Sequence, residues 1–219
     1  MKFGGAEIIE RFATPRGDIQ LQRRGMHYEI ISNGTFVMAT YNGESEKKLV
    51  RAALDACETE RCSVLIGGLG VGFSLAEAVR SPRTRRVTVV EIEPQIIRWN
   101  RTFLAAFSDR ALEDEKTEIV HADLIRWISD TEETFDVVCL DIDNGPDWTV
   151  FRENDVLYDD DGLTRLVRLL NPGGVVSFWS ASASPLFEKR LRARFRSVGT
   201  ATVDHFRGGE PDIVYVAKL

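Results

Sequence analysis

Ser63-Val64-Leu65-Ile66 runs directly into Gly67-Gly68-Leu69-Gly70-Val71-Gly72, and a helical pattern opens at Phe73 and continues through Val79. A short apolar run bounded by glycines reads as a buried strand. The glycines let the backbone approach a ligand closely, and the helix that follows presents free N–H groups at its N-terminus. Taken alone, such a string is equally a tight strand-to-helix turn, so its surroundings decide its meaning.

Downstream, strands and helices alternate. Arg86–Val90 is a strand closed by Glu91, and Pro94 opens a helix reaching about Phe103. Glu118–Val120 is a third strand, followed by a short helix over Leu124–Ile128. Phe135–Leu140, apolar except for Asp136, is a fourth strand ending in Asp141. A helix over Gly162–Leu170 leads through the turn Asn171-Pro172-Gly173-Gly174 into the strand Val175–Trp179. After a helix over Pro185–Phe195, strands at Gly199–His205 and Ile213–Ala217 flank a Gly208-Gly209 turn. This predicts an α/β, Rossmann-like, doubly wound sheet of seven mainly parallel strands with an antiparallel edge.

Upstream the pattern changes. Glu7–Phe12, Ile19–Arg23, Tyr28–Ser32 and Thr35–Ala39 are short β-leaning runs punctuated by Pro15-Arg16-Gly17, Gly25 and Asn33-Gly34. Asn-Gly is a strong hairpin signal. Residues 1–43 therefore form a small antiparallel β appendage, and residues 44–219 the Rossmann-like nucleoside-binding catalytic domain. Their junction is a helix from Glu44, with apolar residues at 49, 50, 53, 54 and 57.

Composition narrows the function. With 43% hydrophobic and 28% charged residues among 219, the chain is a globular domain rather than a disordered or fibrous one. The balance of 28 basic against 34 acidic residues gives −6, and the basic clusters are short, so nucleic acid is not a favoured partner. No apolar run is long enough to span a membrane. Cys57, Cys62 and Cys139 have neither zinc nor CxxC spacing, which predicts reduced thiols, a cytoplasmic setting and no metal. A homodimer stands among the open expectations for assembly.

The strand ends carry the chemistry. Glu91, nineteen residues beyond Gly72, stands where an acid takes ribose hydroxyls. Asp123, after Ala122, can accept from an adenine amino group, and Asp141 ends the fourth strand. Each acid alone is also a credible helix N-cap; the ordered series points to a crevice. There is no GxxxxGK[ST] string, and Phe73 stands where a dinucleotide fingerprint wants glycine. An acid-lined crevice suits a nucleoside bearing a sulfonium and no phosphates, namely S-adenosylmethionine or its decarboxylated form as group donor.

From Glu7 to Leu219 the chain resembles the spermidine synthase (aminopropyltransferase) family, a β-hairpin domain followed by a class I methyltransferase-like fold. The resemblance rests on Val64-Leu65-Ile66-Gly67-Gly68, Val89-Val90-Glu91-Ile92-Glu93-Pro94, Ala122-Asp123, Phe135–Asp143 and the stretch from Asn154-Asp155-Val156-Leu157-Tyr158 to Asn171-Pro172-Gly173-Gly174. It implies that Gly67, Gly68, Gly70, Gly72, Glu91, Ala122 and Asp123 bind the donor. It also implies that Asp141 helps to deprotonate the attacking amine, with Asp143 and Asn144 beside it. The chain departs from the family pattern in three places. Gly70 stands nearest the acid of the GGGDGG motif, Asn144 replaces the second catalytic acid, and a Gln expected near Val37 or Met38 is absent.

Asp147, Trp148 and Tyr158 are substrate-side candidates, since carboxylates hold a polycation while aromatic faces cover its methylenes. For Tyr158 and Trp179, core packing is the stronger alternative. Glu44 and Glu46 either reach the same mouth or simply favour a helix N-terminus. The expected reaction is aminopropyl transfer to an amine, probed against two alternatives: methyl transfer, and nucleoside binding without catalysis.

Overall fold

The computed structural model describes residues 5–142, 144–149, 151–204 and 210–219. Glu7–Thr14 (β1), Gly17–Arg24 (β2), His27–Ser32 (β3) and Thr35–Ala39 (β4) form an antiparallel sheet in that order. Asn33 and Gly34 both take positive φ (50° and 77°), as a two-residue hairpin that follows strand twist requires.

The chain then runs through Glu44–Ala56 (α1), Cys62–Gly67 (β5), Phe73–Arg80 (α2), Thr84–Glu91 (β6), Pro94–Arg101 (α3) and Thr117–His121 (β7). Leu124–Asp130 (α4), Phe135–Leu140 (β8), Asp160–Leu169 (α5), Leu170–Ser180 (β9), Pro185–Arg194 (α6), Ser197–Val203 (β10) and Asp212–Lys218 (β11) complete it. The seven strands lie in the order β10-β11-β9-β8-β5-β6-β7. The inner strands are parallel, while β11 runs antiparallel to both β9 and β10. The turn expected before β9 changes in detail. Asn171–Gly174 belongs to β9, whose pairing with β8 shifts register between Phe135 and Val137, so α5 passes into the strand at Leu170 without a separate turn. The Gly208-Gly209 turn lies outside the described residues.

Strand alternation builds two cores. Leu65, Val138 and Leu140 pack on one face with Ile128, Leu163, Leu166 and Phe187 from α4, α5 and α6. Val64, Ile66, Val137 and Cys139 pack on the other with Leu49, Val50, Ala53 and Leu75 from α1 and α2. At the far end of β8, buried Asp136 accepts from the Ser63 N–H (2.7 Å) and from the Asn171 amide (2.8 Å). Burial opposes its charge, but these bonds outweigh burial and hold its carboxyl below the ordinary range.

A third cluster joins the sheets: Leu21, Ile30 and Met38 pack against Val71, Phe73, Trp99 and Leu104. Truncating Leu21 or Ile30 to alanine would open a void at this join, costing ~2–5 kcal/mol. The crossover from β5 goes to β6 on one side and β8 lies on the other. The carboxyl end of β5 is therefore the switch point at which an open α/β sheet leaves a crevice.

Candidate active site

The glycine loop is shaped by close approach. Gly68 and Gly70 take φ of +91° and +51°. A Cβ on Gly68 would collide with the Asp141 carbonyl oxygen, and one on Gly70 with the Met38 thioether. Asn100, buried on α3, donates from Nδ2 to the Gly70 carbonyl (2.7 Å), and the Val71 N–H points at Met38 Sδ (3.0 Å). Glu91 closes the loop from the neighbouring strand. Its Oε2 accepts from the Leu69 N–H (2.9 Å) and its Oε1 from the Glu93 N–H (2.7 Å). Burial raises its pKa despite those bonds.

The loop floors a cavity of about 420 Å³ between the two sheets, within the size range of small-molecule sites. Under β5, β6 and β7 it is lined by Gly68, Gly70, Glu91, Ala122, Asp123 and Leu124. Asp123 serves as the N-cap of α4: its Oδ1 accepts from the N–H groups of Ile125 (2.9 Å) and Arg126 (3.3 Å), and its Oδ2 takes no partner among the described residues. The cap and cavity readings of this residue thus hold together. Toward β8, β9 and β11 the lining is Glu46, Asp141, Asn144, Trp179 and Asp212, and Phe36, Val37, Trp148 and Phe151 supply apolar surface.

That second half is strongly acidic. Asp141 is half-buried at the end of β8, where its backbone N–H donates to the Gly67 carbonyl and its Oδ2 accepts from the Ser74 hydroxyl (3.0 Å). Burial, aided by the charge of Asp212, pushes its carboxyl up to about 6. Glu46, 7% exposed in the first turn of α1, accepts at Oε2 from the Ser45 hydroxyl (2.9 Å). Burial first, then the Asp141 charge, pushes it up to about 8. Its neighbour Glu44 faces out and pairs with Lys47 (2.8 Å) and Arg51 (3.4 Å). Of the two helix-start acids, one faces solvent and the other reaches the mouth.

Other expected positions fall elsewhere. Gly67 lies beneath the floor with its carbonyl bonded to Asp141, and Gly72 is the left-handed N-cap of α2, against Asn100 and Ser108. Asp147 accepts from the Ser184 hydroxyl (2.9 Å) and so secures the start of α6. Tyr158 is not on the cavity wall: its ring packs against Phe178 and Phe187 (centroids 6.1 and 5.4 Å), the core alternative noted from sequence. Trp179 does the opposite and joins the wall. Asp143 lies outside the described residues. Sequence reasoning missed Met38, Asp212 and the loop-supporting role of Asn100. Asp212 begins a strand, where the strand-end rule does not look.

A doubly wound sheet with its glycine loop and strand-end acids around one switch-point cavity defines a Rossmann-like α/β protein. The model of the spermine/spermidine synthase domain matches residues 45–202, well over half of the chain. The chain belongs to that family. Among curated relatives, polyamine aminopropyltransferase 1 of Streptomyces coelicolor is 34% identical over 148 residues, covering 65% of this chain and 27% of the relative. The chain spans between about a quarter and about half the length of the first curated relatives it matches. A crystal structure of spermidine synthase from Thermotoga maritima superposes with TM-score 0.78 at 16% identity, covering 97% of this chain and 72% of that one. A spermidine synthase in complex with the transition-state analogue AdoDATO matches equally well, also with TM-score 0.78. At such identity these neighbours establish the fold. Among the described residues, no helix is long and apolar enough to cross a membrane.

Proposed function

We propose that this protein transfers an aminopropyl group from decarboxylated S-adenosylmethionine to an amine, with a polyamine as acceptor. The observation that carries the reading is the half-buried Asp141 carboxylate, standing where the nucleoside-type half of the cavity meets its acidic half. Family membership and the names of the relatives point the same way.

In this reading Gly68 and Gly70 let the nucleoside lie against the backbone, Glu91 accepts from its ribose hydroxyls through the remaining lone pairs, and Asp123 Oδ2 accepts from its adenine amino group. The acceptor amine attacks the carbon next to sulfur. A C–N bond forms, the C–S bond breaks, and its electron pair neutralises the sulfonium to the thioether of methylthioadenosine. The surplus proton on nitrogen passes to Asp141, whose raised pKa matches a base working near neutrality. Holding the two reactants in one cavity converts a bimolecular encounter into an oriented step. Trp148 and Phe151 cover the methylenes of the chain, and Asn144 borders the reacting end.

The test is product identity. Protein supplied with decarboxylated donor and 1,4-diaminobutane should release methylthioadenosine. Release of S-adenosylhomocysteine from intact S-adenosylmethionine, with no methylthioadenosine from the decarboxylated donor, would replace this reading with methyl transfer.

A further inference from the structure

Among the described residues, no basic side chain pairs with the Glu46 carboxylate. It is buried, lines the cavity, and has the hydroxyl of its neighbour Ser45 as its side-chain hydrogen-bond partner. The groups facing it from adjoining elements are Ser74 on α2, whose hydroxyl lies 3.4 Å from the Glu46 carbonyl, Asp141 on β8 and Asp212 on β11. Along the described cavity wall Glu46, Glu91, Glu93, Asp123, Asp141 and Asp212 are acidic, and Arg16 alone is basic. Arg16 is engaged elsewhere, 4.0 Å from Glu93 and 4.0 Å above the Phe151 ring. A buried ionised carboxylate is costly unless paired, so Glu46 either holds a proton or meets a cation brought by a ligand.

No three acidic, histidine or cysteine side chains among the described residues converge closely enough to hold a metal ion. The acids are spread along the wall, which suits separate ammonium groups on one flexible ligand better than a single point charge. Asp141, at the junction with the nucleoside half, is placed for the nitrogen that reacts and must be neutral. Glu46, on α1, remains for a nitrogen that stays charged.

We infer that Glu46 is a specificity-determining residue that binds the non-reacting ammonium of a diamine acceptor. The inference rests on the proposed amine substrate and deepens it. The raised Glu46 value is consistent with a carboxyl that is protonated until a cation arrives.

The experiment is calorimetric titration of 1,4-diaminobutane into protein saturated with methylthioadenosine, at pH about 7 in two buffers of different ionisation enthalpy. The wild type should release about one proton per diamine bound. Butylamine, which lacks the second ammonium, should bind more weakly. Glu46→Gln should bind the diamine about tenfold more weakly or worse, the loss expected for a hydrogen bond to a charged group. It should also lose the proton release and the preference over butylamine, while its unchanged methylthioadenosine affinity reports an intact fold. Glu46→Asp should recover proton release in part. Wild-type affinity and proton release in Glu46→Gln would overturn the inference, as would a wild type that binds no diamine. Diamine binding with proton release, but no methylthioadenosine from the decarboxylated donor, would sink the transfer reading and leave this one standing.

Discussion

The Ser74 hydroxyl, in the first turn of α2, donates to Oδ2 of Asp141 at the end of β8 (3.0 Å), and this is the side-chain bond opposing the effect of burial on that carboxyl. Ser74→Ala removes it. The Asp141 pKa should then rise further, and the acidic limb of the pH–rate profile for methylthioadenosine release should move up by several tenths of a pH unit to about one unit. An unmoved limb would show that Asp141 does not govern the rate.

Asp141→Asn removes the proposed base and leaves the cavity's shape. Loss of such a base lowers turnover by ~10²–10⁴-fold. Binding of methylthioadenosine should stay near wild type, because the product carries no reacting amine. Full turnover in this variant would exclude Asp141 from proton transfer.

Glu91→Ala should weaken adenosyl-nucleoside binding by roughly 2–4 kcal/mol, from two hydrogen bonds to a charged group discounted for non-additivity. It should also lower Tm, since the Leu69 and Glu93 N–H groups lose their acceptor. Calorimetry that finds unchanged nucleoside affinity would remove Glu91 from the site.

The acidic wall should make the ligand-free protein sensitive to alkali. Burial raises Glu46 from 4.5 to about 8 and Asp141 from 3.8 to about 6. Between each pair of values the folded chain holds more protons than the unfolded one, so stability falls as pH rises. Tm should therefore decline between pH about 4.5 and about 8, at ~2–4 °C per kcal/mol for a chain of this size. Glu46→Gln should flatten most of that slope, and saturating diamine should reduce it. An identical slope in Glu46→Gln would place the titration elsewhere.

Much of this architecture is legible from the residues alone, because buried parallel strands announce themselves as apolar runs and their carboxyl ends as single acids. Glu91, Asp123 and Asp141 were found by that rule and line one cavity. Asp212 escapes it by opening an antiparallel strand, with Val214 set against Trp179. Tyr158 and Trp179 illustrate a second limit: whether an aromatic residue packs inward or lines a wall depends on which side of the sheet it meets. Trp179 shares the α1 face with Val175, and Tyr158 joins the opposite core. Glu44 and Glu46 differ by two positions on a helix, and only the packed neighbours of α1 separate a solvent-facing acid from a buried one.

Gly70 and Met38 are thirty-two positions apart in sequence, yet the thioether of one fills the space that a side chain on the other would need. In mutational terms they form one locus. An acid at position 70 would need the flexible Met38 side chain to turn away, and would sit at a left-handed φ of +51° that favours glycine. Turning Met38 away withdraws it from the cluster that joins the small sheet to the glycine loop, so the cost of such a change falls on that join. A change in the chemistry of the loop is thereby felt as a change in how firmly the two sheets hold together.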